Sequence, residues 1–113
     1  PIVFDISINT EVGIEKEHIL PNSIILSPNY PNPFNSNTAI TFSLSESEII
    51  DLSIIDVMGN TVKKLMHEKR PAGNSFVNWD GKNMNGKSVT SGIYFCLLKV
   101  KGRSFNNKIV LLK

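Results

Sequence analysis

Residues 38–67 read TAITFSLSESEIIDLSIIDVMGNTVKKLMH, and the periodicity of this stretch decides the fold. From Thr38 to Leu44, the residues Ile40, Phe42 and Leu44 alternate with Thr41 and Ser43, which is the two-residue period of a half-buried strand. Glu48 to Val57 repeats the pattern, with Ile50, Leu52 and Ile54 on one face. Met58-Gly59-Asn60 then makes a tight turn into a third strand, Thr61 to His67. Asp56 and Gly59 bracket that turn: glycine supplies positive φ and the carboxylate can bond the turn amides.

The same grammar extends in both directions. Upstream, Ile24 to Ser27 leads into Pro28-Asn29-Tyr30-Pro31-Asn32-Pro33-Phe34-Asn35. Pro31 and Pro33 fix φ and remove two backbone donors, so this segment is not an ordinary central strand. Tyr30 and Phe34 are expected to cover the end of the core. The segment reads either as a rigid recognition strip or as a crossing between sheets. Downstream, Pro71-Ala72-Gly73-Asn74 is a turn, Ser75 to Trp79 a strand with Val77 and Trp79 in phase, and Asp80 to Gly86 a turn-rich loop. Trp79 is a core anchor, and Gly92 before Tyr94 marks a kink or close approach at a strand start. Ile93 to Val100 is the most apolar strand and takes the sheet centre. Lys101-Gly102-Arg103 turns into a last strand, Ser104 to Leu112. Strands at this spacing, with no helical period, predict an all-β antiparallel β-sandwich of about seven strands over 24–113.

Ahead of it, Ile2, Phe4, Ile6 and Ile8 alternate with Val3, Asp5, Ser7 and Asn9, so residues 1–9 read as a strand. It is the tail of a preceding domain or an added edge strand. Residues 10–23 are acidic and aperiodic, a linker. The chain opens on Pro1 rather than Met, which reads as a fragment or processed product.

Composition agrees. With 14 Ile, 8 Val and 13 Asn against 2 Ala, strands and turns are favoured over helices. A length of 113 residues suits one domain and excludes a large enzyme built around an interlobe cleft. Residues 1–58 carry a net charge of −7 and residues 59–113 carry +9, which leaves 24–113 at +5. This reads as complementary strands of one fold or as a basic face for an anionic partner. Cys96 has no partner for an internal disulfide and lies in an apolar run, as a buried structural thiol.

Catalytic signals are missing. His18 and His67 stand near no nucleophile, there is no G-x-S-x-G elbow, and no carboxylate pair lies in an apolar setting. No cofactor motif occurs, and the basic half lacks the aromatic platform of a nucleic-acid binder. In the loop Asp80-Gly81-Lys82-Asn83-Met84-Asn85-Gly86, the oxygens of Asp80, Asn83 and Asn85 are weak candidates for a cation. The EF-hand spacing fails, since counting back from Gly86 puts the first ligand position on Gly81 and the twelfth on Gly92. An Asx-stabilised hairpin loop is the better account.

The stretches LSPNYPNPFNSNTAITFSL, IIDLSIIDVMGNTVKKL, PAGNSFVNWDGKNMNGKSVTSGIYFCLLKVKG and the closing KIVLLK follow one family pattern in order. Their motifs are Tyr30-Pro31-Asn32-Pro33-Phe34-Asn35, the Asp56–Gly59 turn, Trp79-Asp80-Gly81 with Gly86, and Gly92 with Tyr94. The chain resembles the C-terminal sorting domain of the type IX secretion system, in the variant related to the immunoglobulin-like domain of the flagellar hook-capping protein. It lacks the proline that many members carry near Ser36 or Asn37. The resemblance implies an immunoglobulin-like sandwich recognised by the secretion translocon, and a sortase-like peptidase that cuts upstream, within 10–23. It implies an N-terminal cargo domain exported through the periplasm to the cell surface or beyond. The expected contacts are Lys108, Ile109, Val110, Leu111, Leu112 and Lys113 of the terminal strand, with Lys99, Lys101 and Arg103 nearby. Lysines here equally suit an edge strand that resists aggregation, and an edge-strand dimer is a further partner to consider. The competing function is a structural or adhesive, glycan-binding accessory module of a surface enzyme.

Overall fold

The structure, a computed structural model, describes residues 23–113. The expected strand over 1–9 and nearly all of the linker over 10–23 lie outside the described residues. Seven strands follow in chain order: β1 (Ile24–Leu26), β2 (Thr38–Leu44), β3 (Glu48–Asp56), β4 (Thr61–Arg70), β5 (Gly73–Trp79), β6 (Gly92–Val100) and β7 (Arg103–Leu111). They form a three-stranded sheet, β1-β2-β5, and a four-stranded sheet, β4-β3-β6-β7, with every strand pair antiparallel. This is the antiparallel β-sandwich that the alternation predicts, in the immunoglobulin-like form that the resemblance implies. β4 runs three residues beyond the expected His67, because β3 continues to pair with it through Glu48↔Arg70.

The core is the sum of the inward-facing rows. Ile40, Phe42 and Leu44 of β2 face Ile50, Leu52 and Ile54 of β3, and Tyr94, Cys96, Leu98 and Val100 of β6 extend the same layer. All ten are buried. At about 25 cal/mol per Å² of apolar surface, this layer is the main favourable term of the fold. Cys96 is buried within it as expected, and burial pushes its thiol up to about 12.

Turn chemistry fixes the register. The Asp56 carboxylate accepts from the Met58 and Asn60 amides at 2.9 Å each, while Gly59, at φ 88°, donates to the Asp56 carbonyl at 3.0 Å. Between β6 and β7 the turn is only Lys101-Gly102, since Val100 already pairs with Arg103. β6 does lie at the sheet centre, between β3 and β7. Its outward residues Phe95 and Leu97 are only half-buried, however, and Ile93 is 45% exposed. In a two-layer sandwich, only one face of a central strand meets the core.

Candidate recognition surface

The proline segment has a definite job at the edge of the terminal strand. The peptide of Tyr30 pairs with Ala39 of β2, and four residues later Phe34 bridges Leu111 of β7 in parallel. The segment therefore crosses from one sheet to the other. The Phe34 amide donates to the Val110 carbonyl and the Leu112 amide donates to the Phe34 carbonyl, both at 2.9 Å. Between two prolines that cannot donate, the Asn32 side chain takes the place of a backbone peptide. Its Oδ1 accepts from the Val110 amide at 2.9 Å and its Nδ2 donates to the Lys108 carbonyl at 3.2 Å. Asn35 Nδ2 adds a bond to the Leu112 carbonyl at 3.5 Å, and Asn107 Nδ2 donates to the Leu26 and Ser27 carbonyls of the β1 end. The outer edge of β7 is thereby closed. Two of the three X-Pro bonds of the segment, Tyr30–Pro31 and Asn32–Pro33, are cis.

Phe34 covers the core as expected, but Tyr30 does not: it is 80% exposed. Residues paired across strands share a face, and Ala39, opposite Tyr30, points away from the core. The buried neighbour is Asn29, whose Nδ2 donates to Thr38 Oγ1 at 2.9 Å.

The other motif residues meet at the same end of the sandwich. Trp79 packs against Phe34 in a tilted arrangement and against Tyr94 edge to face, at 5.4 Å between ring centroids in each case. Its indole N–H donates to the Lys82 carbonyl at 2.9 Å, and the Tyr94 hydroxyl to the Thr90 carbonyl at 2.7 Å. Gly81, buried at φ 73°, lies against this group, where an added Cβ would sit 3.7 Å from Leu111 and 3.8 Å from Phe34. Asp80 Oδ1 accepts from the Lys82 amide, and Asn83 Oδ1 from the amides of Asn85 and Lys87. Those oxygens hold the loop itself, in the manner of an Asx-stabilised turn.

The outer face of the four-stranded sheet is assembled from lateral rows. Ile55, Phe95 and Lys108 form one row, Ser53, Leu97 and Asn106 the next, and Asp51, Lys99 and Ser104 a third. Ile93 lies beside Val110 at the end of the face. The result is a half-exposed apolar stripe (Ile55, Ile93, Phe95, Leu97, Val110) flanked by Lys99 and Lys108. Lys64 and His67 of β4 stand beside Asp51, each 3.6 Å from its carboxylate. A shallow depression of about 260 Å³, lined by Ile55, Val57, Phe95 and Asn106 among others, opens onto the stripe.

Against this map, the terminal-strand residues divide. Lys99, Lys108 and Val110 belong to the outer face. Ile109 and Leu111 are wholly buried and build the core, so neither is available as a surface contact. Lys101 and Arg103 sit at the β6–β7 turn, Lys101 paired with Glu48 at 3.1 Å and Arg103 lying 5.1 Å over the Phe105 ring. Leu112 is exposed beyond the strand, and the Lys113 amide donates to Ser91 Oγ. Ile55, Ile93, Phe95 and Leu97 escape sequence reasoning, because an unbroken apolar run reads as burial on both faces. The signal that could have found them is that β6 stands in an antiparallel sandwich, where one face is normally solvated.

Residues 29–112 match the family described as the secretion system C-terminal sorting domain. The chain belongs to that family. It is a sorting signal of type IX secretion cargo, and such signals mark the protein that carries them for export to the cell surface or the extracellular space. The family is not a catalytic one. Among curated proteins, none matches the sorting domain significantly. Its fold is shared with dimeric latent PorU of Porphyromonas gingivalis (TM-score 0.61, 16% identity, 93% of this chain and 10% of that one). It is shared too with PorZ, an essential surface component of the type IX secretion system of that organism (0.55, 18%, 78% and 11%). The hook-capping protein FlgD of Xanthomonas campestris is also similar (0.54, 19%, 77% and 64%). The sorting domain thus spans only about a tenth of the PorU and PorZ chains it matches.

Proposed function

We propose that the secretion machinery reads this sorting domain through the outer face of its four-stranded sheet. One observation carries the reading: Ile93, Phe95, Leu97 and Val110 of β6 and β7 present apolar surface to solvent beside Lys99 and Lys108. An apolar stripe with a charged rim is the usual form of a docking surface. The lysines favour an acidic partner, and their long-range attraction would speed encounter. With Ile109 and Leu111 in the core, recognition requires the folded domain and not a linear tail. The proline segment keeps the β7 edge closed, so docking is face-on. For edge-to-edge pairing, whether with residues 1–9 or with a second copy, β4 and β5 are better candidates than β7, since each is an edge strand paired with one neighbour among the described residues.

Residues 1–9 are then the end of the cargo and residues 10–23 the linker that a sortase-like peptidase cuts, while the domain itself performs no chemistry. The test is a cargo protein joined to the whole chain and expressed in a cell with a working type IX system. Mass spectrometry of the exported cargo should find a new C-terminus between Thr10 and Ser23. Exported cargo that still carries the sandwich would refute the cut, and cargo held in the periplasm would refute the address.

A further inference from the structure

We propose that the opposite face of the sandwich, the outside of the three-stranded sheet, is a binding platform for a neutral polysaccharide. The register builds a grid of three columns. Ile25, Ser27 and Tyr30 form the first, Ser43, Thr41 and Ala39 the second, and Asn74, Phe76 and Asn78 the third. Tyr30 is 80% exposed, Phe76 68% and Ile25 50%. Three large apolar side chains thus stand exposed on one face, around the smaller Ser27, Thr41 and Ala39.

The chemistry of the grid selects its occupant. None of these nine positions carries Lys, Arg, Asp or Glu, whereas the opposite outer face carries Lys64, Lys69, Lys99, Lys108 and Asp51. An anionic or cationic ligand would find no counter-charge here. A neutral sugar ring matches: its C–H face is attracted to the electron-rich face of an aromatic ring, and its hydroxyls need amide and hydroxyl partners. Ser43 Oγ donates to Asn74 Oδ1, so the Asn74 NH₂ donors are not used in that bond. Asn78 and Thr41 supply further polar groups.

Size points the same way. Tyr30 and Phe76 stand on either side of β2, two strand spacings across and two residues along, about 12 Å apart. A short run of linked sugar rings spans that distance. At the spacings of a β-sheet, the nine positions cover a footprint of about 300 Å². A stable dimer interface needs about 800 Å² per partner, so a second copy of this chain is the poorer fit.

Affinity electrophoresis of the full chain through gels containing hydroxyethylcellulose, galactomannan or polygalacturonate tests the proposal. At least one neutral polymer should retard the protein, and Tyr30→Ala and Phe76→Ala should each weaken the retardation about tenfold. Phe76→Tyr, which keeps the ring, should retain it, and so should Lys99→Glu with Lys108→Glu. These side chains are exposed, and circular dichroism of each variant is the control for folding. Unretarded migration in both neutral gels overturns the proposal, as does equal retardation of the alanine variants or stronger retardation by the polyanion. A dimer in sedimentation that Phe76→Ala dissociates also overturns it, by assigning the face to a second copy. The gel assay is independent of export, so its outcome and that of the sorting test are separately readable.

Discussion

The Asn32 carboxamide stands in for a peptide unit beside Val110: its Oδ1 accepts from the Val110 amide at 2.9 Å while its Nδ2 reaches the Lys108 carbonyl at 3.2 Å. Pro31 and Pro33 have no N–H and could not have donated the second of those bonds. Asn32→Ala removes both and leaves the Val110 N–H and Lys108 C=O to water at an open edge. The expected cost is about 1 kcal/mol, because water partly replaces the bonds. For a domain of this size, that lowers the melting temperature by about 4–8 °C. Opening the edge also adds a tendency to self-associate, visible by size-exclusion chromatography. An unchanged melting temperature would show that the Phe34, Tyr30 and Asn35 bonds hold the strip without Asn32.

The aromatic group at the same end is more demanding. Phe34 is 2% exposed, packs against Trp79, and lies 3.8 Å from where a Cβ on Gly81 would stand. Phe34→Ala should cost about 3–5 kcal/mol, read by denaturant unfolding. Gly81→Ala should cost about 1–2 kcal/mol through backbone strain, since its φ of 73° disfavours a side chain even where space exists.

Much of this was legible from alternation and turn residues. Thr38–Leu44 shows as a strand to the residue, and Trp79 as a core anchor, because inward rows need apolar side chains and nothing else competes for those positions. Two things were not legible. The burial of Ile109 and Leu111 against the exposure of Lys108 is a matter of which phase of β7 faces β3 and β6, which an apolar run such as IVLL does not declare. The role of Asn32 depends on a contact with Lys108, 76 residues away, and no local pattern encodes it.

Cys96 gives a pH-dependent signature. Its thiol pKa is raised from 9.0 to about 12 by burial, so the folded state holds the proton more tightly than the unfolded state. Its contribution is fully present below pH 9, declines by about 1.4 kcal/mol per pH unit above that, and is lost as pH rises through about 12. Cys96→Ala should flatten the alkaline limb of the stability curve. In the native protein at pH 8, a thiol reagent should label Cys96 only as fast as the domain unfolds.

The outer-face lysines are expected to matter for recognition and not for folding. Lys99 and Lys108 are exposed, so their reversal to Glu should change stability by under about 1 kcal/mol. Phe95→Ser, which removes apolar area from the stripe, should act in the same direction on recognition. By contrast, deleting Ile109 to Lys113 takes two core residues with it and reports on folding and export together.

The most direct measurement is therefore export of a cargo protein carrying the whole chain with Lys99→Glu and Lys108→Glu, followed by fractionation, with melting of the purified variant as the control. The account predicts that the variant domain melts near the parent temperature while its cargo stays in the periplasm. Normal arrival of that cargo at the cell surface, with the variant domain folded, would contradict it.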